Sequence, residues 1–272
     1  ENATATPVFG NWWHWEIGTP CASLTTAMRL YEDLTEQQLR NYTNAVNRYC
    51  ASIASSGMPG SPAMTGANLI DKGTAVALSA LLSQNANKMD HVKTKFKEVF
   101  EYVTTGDGFY KDGSYIQHQA LAFMGAYGKD LYNKLSIFFI AFDGSPWELA
   151  YEDGSEMIPF NGIFDAVEPF FYEGLYMDMV SGRDIVRQSK NDKVRGAQIL
   201  SAILPMGSVM PNEEMQTRFD SMAKAMLQVD PDFFFANCDN ITAAATASRI
   251  LQDDTIVPRI DYALNKVFTM DK

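Results

Sequence analysis

Cysteine is scarce in this chain: 272 residues hold three, Cys21, Cys50 and Cys238. None belongs to a Cys-x-x-Cys pair, which excludes a zinc ribbon or a thioredoxin-type site. An odd count also excludes complete pairing within the chain, and small buried apolar residues are the simplest reading of the three. Positive charge is short as well. Lys and Arg total 22 against 33 Asp and Glu, a net charge of −11. That argues against nucleic acid as the partner, because phosphate binding needs a basic face. It leaves room for an acidic ligand, since a cationic cleft can exist on an acidic surface. Long apolar runs are missing: nothing approaches the ~20 residues of a membrane span. The most apolar stretch, Leu135 to Phe142, suits a buried helix, so no membrane partner is expected. No convincing series of strands is visible.

What is present is helical spacing. Hydrophobic residues make up 46% and charged residues 20%, a globular composition. Thr35-Glu-Gln-Gln38 is a capping-box start. Behind it, Leu39, Tyr42, Val46, Tyr49 and Ile53 recur at spacings of three and four, one face of a helix. Further helices are predicted over 68–82, 90–104, 119–126, 129–142, 193–204, 212–228, 239–252 and 258–268. Loops rich in Gly, Pro, Ser and Asp separate them at 56–66, 106–114, 143–161 and 205–212. The expected fold is all-α: a single domain over 1–272, built as an array of helical hairpins in an α/α toroid.

Three segments are too polar and aromatic for simple packing. Gly10 to Pro20 carries Trp12, Trp13 and Trp15. Adjacent Trp12 and Trp13 cannot both face one core, so the segment is either a hydrophobic staple or a stacking platform for sugar rings. Gly106 to Gln119, followed by Gly125-Ala-Tyr-Gly128, is dense in Gly and Asp but fails the spacing of a calcium loop. His118 and Tyr127 lie nine residues apart, so helix geometry alone would not bring them together, though a bend near Gly125 would. Arg183 and Arg187, four apart, would share a helical face as a clamp for carboxylate or sulfate; the plainer alternative is two solvated arginines.

Taken together, these segments resemble polysaccharide lyase family 8, whose members include hyaluronate, chondroitin AC and xanthan lyases. The resemblance rests on five motifs in order: N-W-W-x-x-E-I-G-x-P (Asn11 to Pro20), G-A-N (Gly66 to Asn68), F-Y-x-D-G-S-x-x-x-H (Phe109 to His118), G-A-Y-G (Gly125 to Gly128) and G-R-x-x-x-R (Gly182 to Arg187). It implies that Asn68, His118 and Tyr127 are catalytic, that Arg183 and Arg187 support them, and that Trp12 and Trp13 form an aromatic patch. Asn11 and Gln117, within the same motifs, are read as substrate-binding. The sequence departs from the family at Ser181, where many members carry arginine, and at Ala122-Phe123, which replaces a tyrosine-containing run. The resemblance also implies an incomplete toroid, with further helices before the N-W-W segment and a β-sandwich region after Phe268 to Lys272. A second chain or that β region would then be a partner.

The chemistry so implied is β-elimination at a uronic acid. Donors aimed at the carboxylate relieve the charge that builds when the C5 proton leaves. Asn68 and His118 supply such donors. Tyr127 is the base, helped by an arginine because a free phenol ionises only near pH 10. The scheme calls for no metal and no cofactor. Its substrate is an acidic polysaccharide, too large to be met inside a cell, so a secreted or periplasmic bacterial protein is expected. Two other readings stay open. An α/α-barrel glycoside hydrolase would use a carboxylate pair drawn from Asp112, Glu173 and Asp178. A non-catalytic glycan-binding helical protein would need only the tryptophans and arginines.

Overall fold

Local signals in the sequence set where most helices begin. In the computed structural model, which describes residues 9–50, 53 and 62–261, the chain forms two compact units, Glu1–Val99 and Phe100–Lys272. In the first, a π-helical turn, His14–Gly18, runs directly into α1 (Thr19–Arg29). α2 (Glu36–Tyr49) starts at the expected capping box. Thr35 Oγ1 accepts from the Gln38 backbone at 3.3 Å, and Gln38 Oε1 accepts from the Thr35 backbone at 2.8 Å. α3 (Gly66–Leu82) is buried on nearly every side and packs against α1, α2 and then α4 (Ala86–Phe96). A helix that is apolar all round belongs in a core.

A charged pair sits inside that core. The Lys72 ammonium on α3 pairs with the Glu16 carboxylate on the π-helical turn, and both side chains are fully buried. The Trp-bearing segment is thereby tied to α3 at a point one turn beyond Asn68.

α4 is shorter than expected and starts earlier. It closes as a 3-10 turn, Lys97–Val99, and does not continue to residue 104. The reason is competition from a sheet: the Val103 backbone donates to Phe109 at 2.8 Å, and Tyr102 bridges to Phe109.

The second unit departs furthest from the expectation. A helix is predicted over 119–126, but that stretch is mostly sheet and turn. β1 (Gly108–Phe109), β2 (Tyr115–Gln117) and β3 (Leu121–Ala122) form an antiparallel sheet in the order β1-β2-β3. Phe109 faces Tyr115 and Gln117 faces Leu121. Helix resumes as a π-helical turn, Met124–Gly128, leading into α5 (Lys129–Ala141). α6 (Met157–Gly162) follows, then a two-strand hairpin, β4 (Phe171–Tyr172) and β5 (Leu175–Tyr176). These strands hold two or three residues each, too few for a period-two pattern to register.

Helices α7 (Asp192–Ile203), α8 (Glu213–Leu227), α9 (Pro231–Asn237) and α10 (Ile241–Gln252) complete the unit. Each starts at an Asn or Asp whose side chain accepts from the first turn: Asn191, Asn212, Asp230 and Asn240. α5 packs on α7, and α7 on β5 and α10. The core is strongly aromatic, with Phe109, Tyr115, Phe123, Tyr132, Phe170, Phe171 and Tyr176 all buried. Its buried phenols are satisfied. Tyr132 donates to the Pro159 carbonyl at 2.6 Å, Tyr176 to the Ala166 carbonyl at 3.0 Å, and Tyr115 to Gln117 Oε1 at 3.0 Å. Of the last predicted helix, residues 258–261 are non-helical and the remainder lies outside the described residues, as do most of loop 56–66 and residues 268–272. Among the described residues no helix is long and apolar enough to cross a membrane.

Candidate active site

Three polar side chains meet on the second unit. His118 sits at the β2–β3 turn with a left-handed backbone, φ 54°, and Gln119 beside it has φ 71°. For non-glycine residues such a conformation costs about 1–3 kcal/mol each. Tyr127 sits on the π-helical turn, where the wider winding re-aims a side chain relative to an α-helix. Its hydroxyl lies 2.9 Å from His118 Nε2, with the two rings edge to face at 4.9 Å. Arg183 Nη2 completes the triangle, 3.1 Å from His118 Nε2 and 3.4 Å from the Tyr127 oxygen.

Phe123 is the floor of this cluster, its ring 5.9 Å from that of His118 and 4.8 Å from that of Tyr127. Gly182 passes directly over Phe123. With φ at 50°, a Cβ there would fall 2.7 Å from the ring. The glycine of the Gly-Arg pair therefore brings the Arg183 backbone within reach.

The protonation of His118 follows from its neighbours. Partial burial, then the Arg183 guanidinium, hold its pKa below the usual 6.5, and Asp107 works in the opposite direction. The ring is thus neutral at neutral pH. Guanidinium has only donors to offer, so Nε2 must accept, and the single ring proton belongs on Nδ1. The result is an acceptor turned towards a phenol and a donor on the far side of the ring. Burial pushes the phenols of Tyr110, Tyr132, Tyr151 and Tyr176 upward, away from any use as a base.

The remaining expected residues are placed as follows. Arg187 lies just past the 3-10 turn Gly182–Val186, not on an α-helix. Residues three apart, not four, align in a 3-10 turn, so the clamp with Arg183 does not form. Arg187 instead pairs through Nε with the buried Asp184 at 3.0 Å, its own side chain largely in solvent. Gln117 is buried; it donates to Asp107 Oδ2 at 2.7 Å and accepts from Tyr115, so both ends of its amide are engaged within the protein.

In the first unit, Asn68 is buried in the first turn of α3. Trp12 is half-buried. Trp13 is 42% exposed and covers Gly18, beside a shallow depression lined by Thr19, Ala22 and Thr26. Asn11 is exposed and its Oδ1 accepts from the Trp13 backbone at 2.9 Å, which fixes the turn. The cysteines form no disulfide: Cys50 is buried, and Cys21 and Cys238 are half-buried.

Residues 1–225 match the family model described as the N-terminal alpha-helical domain of polysaccharide lyase family 8. The chain belongs to that family. It is 33% identical over 263 residues to a hyaluronate lyase of Thermasporomyces composti, covering 96% of this chain and 32% of the relative. A xanthan lyase of Bacillus sp. (strain GL1) is 29% identical, over 100% of this chain and 28% of its own length. Among solved structures, a chondroitin AC lyase of Streptomyces coelicolor A3 in complex with chondroitin sulphate superposes with a TM-score of 0.85 at 27% identity. That match covers 94% of this chain and 35% of the other. A Paenibacillus xanthan lyase gives a TM-score of 0.82 at 30% identity, over 94% and 23%. The chain thus spans about a third or less of the length of these relatives.

The family match favours the lyase reading over the hydrolase one. Asp112 is engaged with the backbone and hydroxyl of Ser114 in its own turn, and Glu173 occupies a left-handed position between β4 and β5. The sequence reading gives Asp107, Phe123 and Gly182 no part in the site. The Gly-Asp-Gly run at 106–108 was the available sign, since glycines on both sides of one acid mark a backbone bent to aim it.

Proposed function

We propose that this chain carries catalytic residues of a polysaccharide lyase that cleaves a uronic-acid-containing glycan by β-elimination. The observation that supports it best is the triangle of His118, Tyr127 and Arg183. Each feature of that triangle has a use. The Tyr127 oxygen, with a guanidinium 3.4 Å away, is placed where negative charge on it is stabilised. As the phenolate it takes the C5 proton; the C–H electrons become the C4–C5 double bond as the C4–oxygen bond breaks. The same tyrosine returns the proton to the departing glycosidic oxygen. No water is consumed, and the new chain end is unsaturated.

His118, neutral with its proton on Nδ1, donates to the substrate carboxylate as charge develops there. The Gly-Ala-Asn motif assigns Asn68 as a second donor. An uncharged amide suits that task because its benefit grows towards the transition state. Trp12 and Trp13 supply the aromatic surface for a sugar ring. The names of the relatives set the field of substrates: hyaluronan, chondroitin and xanthan all present an acidic sugar. A polymer substrate places the protein outside the cytoplasm, secreted or periplasmic.

The test is ultraviolet absorbance of the unsaturated uronate, followed in parallel with hyaluronan, chondroitin, chondroitin sulfate and xanthan. A rise with one polymer names the substrate. Tyr127→Phe is expected to lower the rate at least about 100-fold while glycan binding stays near that of the parent. A Phe variant that keeps its turnover would remove Tyr127 from the chemistry.

A further inference from the structure

His118 is aimed by a strained turn, and strain persists only where something holds it. The holder is visible. Asp107 reaches the turn from the loop before β1, with Oδ2 accepting from the Gln117 side chain at 2.7 Å and Oδ1 accepting from the Gln119 backbone at 2.6 Å. One carboxylate thus grips the residues on both sides of His118. Asp107 is itself set between Gly106 and Gly108, whose φ values of 79° and 140° suit glycine alone. Gln117 is fixed in turn by the buried Tyr115 hydroxyl at 3.0 Å.

We propose that Asp107 is a positioning residue, a clamp that holds the left-handed turn at His118 and Gln119 and so keeps the imidazole against Tyr127. The proposal rests on the reading that His118 and Tyr127 carry the elimination. Charge is its second effect. The groups that face His118 are Arg183, the Tyr127 hydroxyl and Asp107. Of these, Asp107 alone favours the protonated ring and partly offsets Arg183. Removing its charge therefore lowers the His118 pKa further.

The experiment is Asp107→Asn in the intact protein, read in two ways. The first is the NMR titration of the His118 imidazole, one of three histidines in the chain, assigned against His118→Gln. The second is the pH profile of the ultraviolet assay. The expected result is a lower His118 midpoint and an acid limb displaced to lower pH. kcat should fall about 10- to 100-fold with KM little changed, as for a misaimed catalytic group. Gln119→Gly, added to Asp107→Ala, should recover part of the lost kcat, because glycine adopts the left-handed turn without a clamp. A purely structural role would lower the melting temperature but leave the histidine titration in place.

An unmoved titration and an unchanged kcat in Asp107→Asn overturn the clamp. If Tyr127→Phe stays active, the reading of the site fails instead. The turn then decides the clamp alone: loss of the left-handed φ at Gln119 in Asp107→Asn, read from its backbone couplings, upholds it, and an unchanged φ overturns it.

Discussion

At the scale of the residue, the imidazole of His118 governs how the site responds to pH. Its neutral form accepts at Nε2 from Arg183; protonation would set two cations 3.1 Å apart. Because the folded-state pKa is depressed, the ring stays neutral down to a pH below 6.5. Any stability linked to that neutrality is complete above about pH 6.5 and is lost as pH falls through the lower value. The rate should follow the same direction. kcat/KM is expected to hold through pH 6.5 and to fall only at more acidic pH, measured as a pH profile in buffers of constant ionic strength. The arginines should separate as well. Arg183→Ala is expected to lower kcat about 10- to 1000-fold, the range for a lost electrostatic stabiliser. Arg187→Ala removes an exposed partner from Asp184, which keeps Lys190 at 3.4 Å, and should leave kcat within about fivefold. The sequence offered both arginines on equal terms. What separates them is the 3-10 winding at Gly182, a backbone choice dictated by contact with Phe123 and invisible to residue spacing.

At the scale of the element, the legible parts were those governed by local signals. The Thr35 capping box and the asparagine caps of α7, α8 and α10 fix helix starts through bonds within one turn, so sequence alone places them. The stretch from Gln119 to Ala126 reads as helix from the sequence alone. Its conformation is set from elsewhere, by Asp107 twelve residues back and by the Phe123 amide donating to Tyr115. The bend suggested by Gly125 is real in effect, since the π-helical turn Met124–Gly128 delivers Tyr127 to His118. A different long-range tie, Glu16 with Lys72, joins the Trp segment to α3. Lys72→Met leaves a buried carboxylate without its cation and should destabilise the fold by about 3–5 kcal/mol. Replacing both, Glu16→Leu with Lys72→Met, should recover most of that loss. Urea unfolding of the parent and the two variants measures the difference, and a single variant as stable as the parent would show that the pair contributes little.

At the scale of the whole molecule, a chain of net charge −11 is proposed to act on a polyanion. Its overall field repels such a polymer, while Arg183 attracts it at short range. The field reaches about 30 Å at 0.01 M salt and about 10 Å at 0.1 M. Association with a uronate polymer should therefore quicken as ionic strength rises over that interval, read by stopped-flow fluorescence of the tryptophans. A steady slowing would mean that local cationic attraction outweighs the total charge. The buried thiol of Cys50 has a use of its own. Burial pushes its pKa to about 12, and its sulfur is held at 2.9 Å from the Glu16 carbonyl. A maleimide or aromatic disulfide reagent added to the native protein should spare it while reaching the half-buried Cys21 and Cys238 first. Modification of Cys50 then times each opening of the N-terminal unit, a clock already built into the chain that needs no engineered label.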